Sequence, residues 1–98
     1  MFVARFLDNG IIDCSGRLDA AEADKADGEL KKITTTSTLD LKNLDYISSA
    51  GLGVLLKAHK RLMATGGRLS LMNVNHHIFD IFRFSGFDQL FDIKRSDS

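Results

Sequence analysis

The stretch from Leu39 to Leu56 narrows the possible folds more than any other part of the chain. Leu39 and Leu41 bracket Asp40 as a short buried strand, a tight loop follows, and Ser48-Ser49-Ala50-Gly51-Leu52-Gly53 opens a helix. Leu52, Leu55, Leu56, His59, Leu62 and Met63 fall on one stripe of that helix, while Lys57, Lys60 and Arg61 lie outside it and read most simply as a solvated face. The spacing predicts a helix from about Ser49 to Ala64, stopped by Gly66-Gly67. An apolar strand that feeds directly into an amphipathic helix is half of a βαβ crossover. Such units pair their strands in parallel and cross over with a right hand.

The flanking segments fit that pattern. Phe2 to Leu7 and Ile11 to Ser15 read as strands around the turn sequence Asp8-Asn9-Gly10, which gives an antiparallel hairpin. Asp19 is placed to cap a helix, and Glu22 stands three residues later as in a capping box. Ala23, Ala26, Leu30 and Ile33 share its apolar face, and Gly28 weakens its middle by about 1 kcal/mol relative to alanine. Thr34 to Thr38 is a connector. Arg68 to Val74 reads as a strand, Asn75 as the cap of a third helix carrying Ile78, Phe79, Ile81 and Phe82, and Ser85-Gly86 as its end. Phe87, Leu90, Phe91 and Ile93 supply a last turn and an edge strand. The expected fold is α/β: one mixed sheet of four to five strands, an N-terminal hairpin followed by parallel strands, with helices mainly on one face. A single domain is expected over residues 1–93, with a polar tail at 94–98. Functional loops gather at the carboxyl ends of parallel strands. Gly16 to Asp19, Leu44 to Ser49 and Val74 to His77 are therefore expected to converge on one edge.

Composition removes several function classes. Thirteen basic and thirteen acidic residues cancel, whereas general nucleic-acid binding needs a basic excess. Cys14 is the single cysteine, so no internal disulfide forms, in keeping with a reducing cytoplasm. The N-terminus has no signal-peptide pattern, and no apolar run approaches the roughly 20 residues of a membrane span. A soluble cytoplasmic protein without membrane insertion is the expectation. His76 and His77 are adjacent, so on a helix they diverge by about 100° and make poor joint metal ligands. His59 reads as a packing residue of the second helix and Cys14 as a small buried apolar group. No nucleophile, base and orienting group stand together. Gly51-Leu52-Gly53 is too short for a nucleotide fingerprint and lacks a phosphate-loop lysine. Neither an enzyme nor a cofactor is expected.

Two serines at a helix start are open to two roles. The start carries unpaired N–H groups and the positive end of the helix dipole. Serine is among the best N-caps, so capping is the plain role of Ser48 and Ser49. Capping is equally the plain role of Asp19. The same place also tolerates a phosphate.

The spelling Asp45-Tyr46-Ile47-Ser48-Ser49-Ala50-Gly51-Leu52-Gly53-Val54-Leu55-Leu56 resembles the signature of STAS domains, the family of bacterial anti-sigma factor antagonists. Three more segments agree in order: Gly16-Arg17-Leu18-Asp19 before the first helix, Gly66-Gly67 after the second, and Ile78 to Phe87 as the third helix and its turn. The resemblance implies the STAS fold and a binding protein that switches partners. It makes Ser49 the phosphoacceptor, with Ser48 as the alternative. It implies a partner surface from Gly16, Arg17, Leu18 and Asp19 together with Ser48, Ser49, Ala50, Gly51, Leu52, Gly53 and Lys57. The implied partners are an anti-sigma factor serine kinase and a phosphatase. The unmodified protein, a monomer or weak dimer when free, would bind the kinase and release a sigma factor or another regulator. The family's usual spelling is Asp-Ser-[Ser/Thr/Ala]-Gly-Leu-Gly, and Ser48 stands where it has the aspartate. Phosphate adds about −1.5 to −2 charges, which the amides of Ala50, Gly51 and Leu52 are expected to receive. Gly51 and Gly53 would let a partner or a neighbouring strand approach the first helical turn. A different class of reading is a constitutive STAS subunit of a transporter-ATPase or signalling complex, with Ser49 only a cap. A weak enzyme or nucleotide binder stands third.

Overall fold

The computed structural model describes residues 1–96, so the end of the tail expected at 94–98 lies outside the described residues. In chain order the elements are β1 (Phe2–Phe6), β2 (Ile11–Leu18), a 3-10 turn (Ala20–Glu22), α1 (Ala23–Leu30), β3 (Ser37–Ile47), α2 (Ser49–Met63), β4 (Leu69–Val74), α3 (His76–Ser85), a second 3-10 turn (Phe87–Gln89) and β5 (Asp92–Arg95). Strand order in the single sheet follows the sequence, β1-β2-β3-β4-β5. β1 runs antiparallel to β2, and every later pair is parallel. The mixed sheet is thus five-stranded. Lys94 and Arg95 belong to β5, so the ordered unit runs past Ile93.

Alternation assigns the two faces. Phe2, Ile12, Cys14, Leu39, Leu41, Leu69 and Leu71 are buried, and they form one cluster with Ala26 and Leu30 of α1, Leu52 and Leu55 of α2, and Ile78 and Phe82 of α3. Each such aliphatic side chain contributes about 1.5–3 kcal/mol by leaving water. The residues between them, including Asp13, Thr38, Ser70 and Met72, are half-buried on the opposite face. All three helices therefore feed one core on one side of the sheet.

β3 is far longer than the short strand the sequence suggests, and the cause is local. Asp13 faces Asp40 but Ser15 faces Asn43; Gly16 faces Leu44 but Arg17 faces Tyr46. At each shift β3 holds one extra residue, a bulge that breaks the period of two. Leu41, Leu44 and Ile47 all stay buried at a spacing of three, which does not read as a strand. β2 likewise continues through Gly16, which has φ +89° and no room for a side chain against the Met1 carbonyl.

α1 and α2 are tied by polar contacts as well as by the core. Arg61 Nη1 donates to the Ile33 carbonyl at 2.7 Å and Nη2 to the Leu30 carbonyl at 2.8 Å. The expected solvated cation is thus a clamp on the carboxyl end of α1. His59 is buried; its Nδ1 accepts the Leu69 N–H at 3.3 Å, and its ring lies 4.9 Å from that of Phe91. Burial, with the Asp13 and Asp40 charges behind it, pushes the Cys14 thiol up to about 12, which leaves it an unreactive thiol.

Asp40 is a buried carboxylate on the face away from the helices. It accepts the Lys42 N–H at 3.1 Å and the Asn73 amide at 3.1 Å, with the Lys42 ammonium at 3.2 Å. Burial pushes its pKa up, but these donors more than offset it and hold it below 3.8. A carboxyl depressed by folding adds stability that is present above its unfolded pKa and lost as pH falls through its folded one. Asp40→Asn is therefore expected to flatten the fall in stability below about pH 4. Urea melts of both proteins at acid and neutral pH would check it; equal acid slopes would show that Asp40 does not carry the effect.

Candidate functional site

The carboxyl ends of β2 and β3 meet at the start of α2. Leu18 is paired with Ile47, and the Ser48 N–H donates to the Leu18 carbonyl at 3.0 Å. Ser48 is the N-cap, with an extended backbone, and its Oγ accepts the Gly51 N–H at 3.2 Å. The same hydroxyl lies 3.5 Å from the Leu18 carbonyl, to which it donates. Gly51 is buried against that carbonyl: a Cβ there would sit closer than contact to the Leu18 oxygen, and 2.8 and 2.9 Å from Leu18 Cγ and Ile47 Cγ1.

Ser49 is different in kind. It is the first residue of α2, it is exposed, and among the described residues its hydroxyl forms no hydrogen bond. Ala50 and Gly53 beside it are also exposed, and a Cβ at Gly53 would meet no heavy atom within 4 Å. Ser48 is therefore the cap of α2, and Ser49 takes no part in it. Of the three amides expected to receive a phosphate, Gly51 is held by Ser48 Oγ and Leu52 donates to the Ser48 carbonyl at 2.9 Å. Among the described residues the Ala50 and Ser49 amides form no hydrogen bond.

Arg17 and Asp19 stand on the neighbouring loop. Asp19 Oδ1 accepts the Glu22 N–H at 3.2 Å, which caps the 3-10 turn. Its other oxygen lies 3.6 Å from Arg17 Nε, and the Arg17 guanidinium sits 4.5 Å above the Tyr46 ring. Glu22 makes only half of the expected capping box, because its carboxylate accepts the Phe2 N–H instead. Tyr46 escaped the sequence reading; its place beside Arg17 is set by the second bulge of β3, which no local pattern reveals.

The expected residues do not all reach the surface. Arg17, Ser49, Ala50 and Gly53 are exposed and Asp19 is half-buried, whereas Leu18, Gly51 and Leu52 are buried and hold α2 on the sheet. Lys57 is exposed two turns along α2, with its ammonium 3.2 Å from Asp27. That hydrogen bond, with Lys31 beside it, holds the Asp27 carboxyl below its ordinary range. The Val74 to His77 loop does not join the group. β3 and β4 stay paired only as far as Asp40 and Met72; Ile47 is seven residues past the one and Val74 only two past the other. Two of those seven are bulge residues, since β2 advances only five from Asp13 to Leu18 over the same length, so the loop ends about three residues, roughly 10 Å, short along the sheet. His76 there lies 3.3 Å from Asp80 and 3.2 Å from Arg95.

This arrangement matches a known family. The STAS domain model fits residues 3–97, and the chain belongs to that family. A protein of Bordetella bronchiseptica, provisionally named anti-sigma factor antagonist BtrV, is 37% identical over 95 residues, spanning 92% of this chain and 82% of its own. The anti-sigma-B factor antagonist of Listeria monocytogenes is 30% identical over 84 residues, spanning 82% of this chain and 74% of its own. The Bacillus cell fate determinant SpoIIAA in its phosphorylated form superposes with a TM-score of 0.68 at 20% identity, covering 99% of this chain and 94% of that one. The last likeness is one of fold. No described helix is long and apolar enough to cross a membrane.

Proposed function

We propose that this protein is an anti-sigma factor antagonist switched by phosphorylation of Ser49. The observation that carries the reading is the division of the two hydroxyls: Ser48 Oγ is engaged by Gly51 and Leu18, while Ser49 stands exposed beside it. An incoming kinase reaches Ser49 without undoing the cap. The replacement of the family's aspartate by Ser48 keeps the cap, since serine and aspartate cap almost equally well. It removes one negative charge beside the acceptor.

A phosphate on Ser49 adds about −1.5 to −2 charges at the positive end of α2, where the fold tolerates them. A partner surface closed over a neutral hydroxyl does not, because a buried unpaired charge is several kcal/mol unfavourable. The unmodified protein binds an anti-sigma factor kinase in the cytoplasm and frees its sigma factor, modification ends that contact, and a phosphatase restores it. The names of the relatives support this reading.

Phosphate transfer from the cognate kinase with mass mapping is the test. Ser49→Ala is expected to take up no phosphate and to keep wild-type stability. Ser48→Ala is expected to be phosphorylated still, while losing about 1 kcal/mol with its cap. Phosphate mapped to Ser48, or uptake that persists in Ser49→Ala, overturns the assignment.

A further inference from the structure

The proposed switch leaves the start of α3 unused, and one ring there makes two contacts with opposite demands. His76 Nδ1 lies 3.2 Å from Arg95 Nη2, and its Nε2 lies 3.3 Å from Asp80 Oδ2. A guanidinium only donates hydrogen bonds and stays charged at every pH a protein meets. Nδ1 is therefore the acceptor. That requires the neutral ring with its proton on Nε2, and this N–H donates to Asp80. A single imidazole thus ties β5 to α3.

The strand that Arg95 belongs to has few other ties. β5 is a four-residue strand at the edge of the sheet. Its pairing slips between Leu71 and Val74, where Asn73 takes a left-handed φ of 56° and β4 bulges. Beyond the bulge Val74 pairs with Arg95, and the Ser96 N–H donates to the Val74 carbonyl at 3.0 Å. The Arg95 guanidinium also lies over the Phe79 ring, 4.4 Å from its centroid. Phe79 and His76 are neighbours on one helix face, so together they form the seat of that guanidinium. The surrounding charges are few. Arg83 Nη2 lies 3.3 Å from the other oxygen of Asp80. His77 and Lys94 are exposed and, among the described residues, make no ion pair. The end of β4, Asn73-Val74-Asn75, carries no charge.

We propose that His76 is a proton-operated latch on β5. In its neutral form the ring accepts from Arg95 and holds the guanidinium in the seat over Phe79. Protonation puts an N–H on both ring nitrogens and a positive charge 3.2 Å from a second cation. Nδ1 then offers Arg95 a donor in place of an acceptor, and the two like charges repel. Asp80 accepts from the imidazolium and keeps the ring on α3. Arg95 leaves its seat, and beyond the bulge β5 keeps only main-chain bonds. Histidine changes charge between pH 5 and 8, so the latch holds at neutral pH and opens in mild acid. The contacts with Asp80 and Arg95 change in opposite directions, so the local order of β5 responds rather than the stability of the whole fold. The seat stands beside the Val74 to His77 loop, which stops short of the Ser49 edge. The latch therefore stands or falls apart from the phosphorylation switch.

Nuclear magnetic resonance of the whole chain tests it without any partner. Protons above an aromatic face are shifted upfield, so the Arg95 side-chain methylenes report whether the guanidinium sits on Phe79. Phe79→Leu, which lacks the ring, supplies the unshifted reference. Between about pH 7.5 and about pH 5.5, a window in which histidines titrate, the wild-type chain is expected to lose at least half of that upfield shift. Over the same window the amide order parameters of Arg95 and Ser96 are expected to fall from about 0.85 towards about 0.6. His76→Asn offers Arg95 an uncharged amide oxygen at either pH, and its Arg95 signals are expected to be the same at both. Asp80→Asn removes the carboxylate that favours the imidazolium, so release of Arg95 is expected only at lower pH than in the wild type. Arg95 signals that stay constant across the window in the wild type, or that change as much in His76→Asn, overturn the proposal.

Discussion

Replacing Gly51 with alanine is expected to be the most damaging methyl addition at this end of α2, and the same change at Gly53 should do the opposite. The Cβ at Gly51 has three neighbours and none can yield easily. The Leu18 carbonyl is main chain, already bonded by the Ser48 N–H; Leu18 is 1% exposed and Ile47 1%. The first turn of α2 must lift off β2, which breaks the Ser48 contacts as well. Overpacking of this kind is destabilising by about 3 kcal/mol, a fall of roughly 10–20 °C in the melting temperature of a domain this size. Gly53 has no heavy atom within 4 Å of a Cβ position. Alanine there gains helix propensity, about 1 kcal/mol, while adding a methyl group beside Ser49 on the proposed partner face. Thermal melts of the two variants would separate the roles: Gly51 serves internal packing, Gly53 does not. A Gly51→Ala protein that melts with the wild type would refute the close approach of Leu18.

Ser49→Asp is expected to weaken binding to the cognate anti-sigma factor kinase by about 100-fold, or ~2.7 kcal/mol. The carboxylate carries a smaller charge than the phosphate, so it should reproduce part of the switch. It leaves the fold intact, because a negative group at a helix amino end is favourable by about 0.3–1 kcal/mol. Ser49→Asn is the control, since it has nearly the same shape and no charge. If charge governs, the asparagine variant binds far better than the aspartate one, and the gap narrows with added salt. Titration calorimetry of the three proteins decides it. Equal weakening by both variants would mean that size, not charge, is read at this position. Wild-type affinity in Ser49→Asp would end the switch.

The sequence made the architecture legible wherever its period was clean. The hairpin turn at Asp8-Asn9-Gly10, the stripe of α2 and the glycine stop of α3 are each set by neighbours within a few residues, although in α2 Met63 is exposed and Val54 and Ala58 are buried in its place. Gly86 takes the left-handed φ of +80° that such a stop requires. β3 was not legible, because its two bulges shift the pairing and hide the alternation. Convergence of the Val74 loop on the site failed for a related reason: the length by which β3 outruns β4 is a property of pairing, not of either strand. Arg61 read as a solvated cation because its acceptors, the Leu30 and Ile33 carbonyls, lie in another element.

At the site the same boundary runs between two adjacent serines. The residues by themselves determined that a helix begins at Ser48-Ser49, that both hydroxyls lie near its positive end, and that two glycines follow. Helix propensity and capping are local, so local order fixes them. Which serine caps and which stands free was decided by Leu18, thirty positions away from Ser48. Its carbonyl meets the Ser48 amide and hydroxyl and leaves room only for a glycine at 51. Only the pairing of β2 with β3 brings that carbonyl to the start of α2, and no pattern in a single stretch of chain carries such a contact.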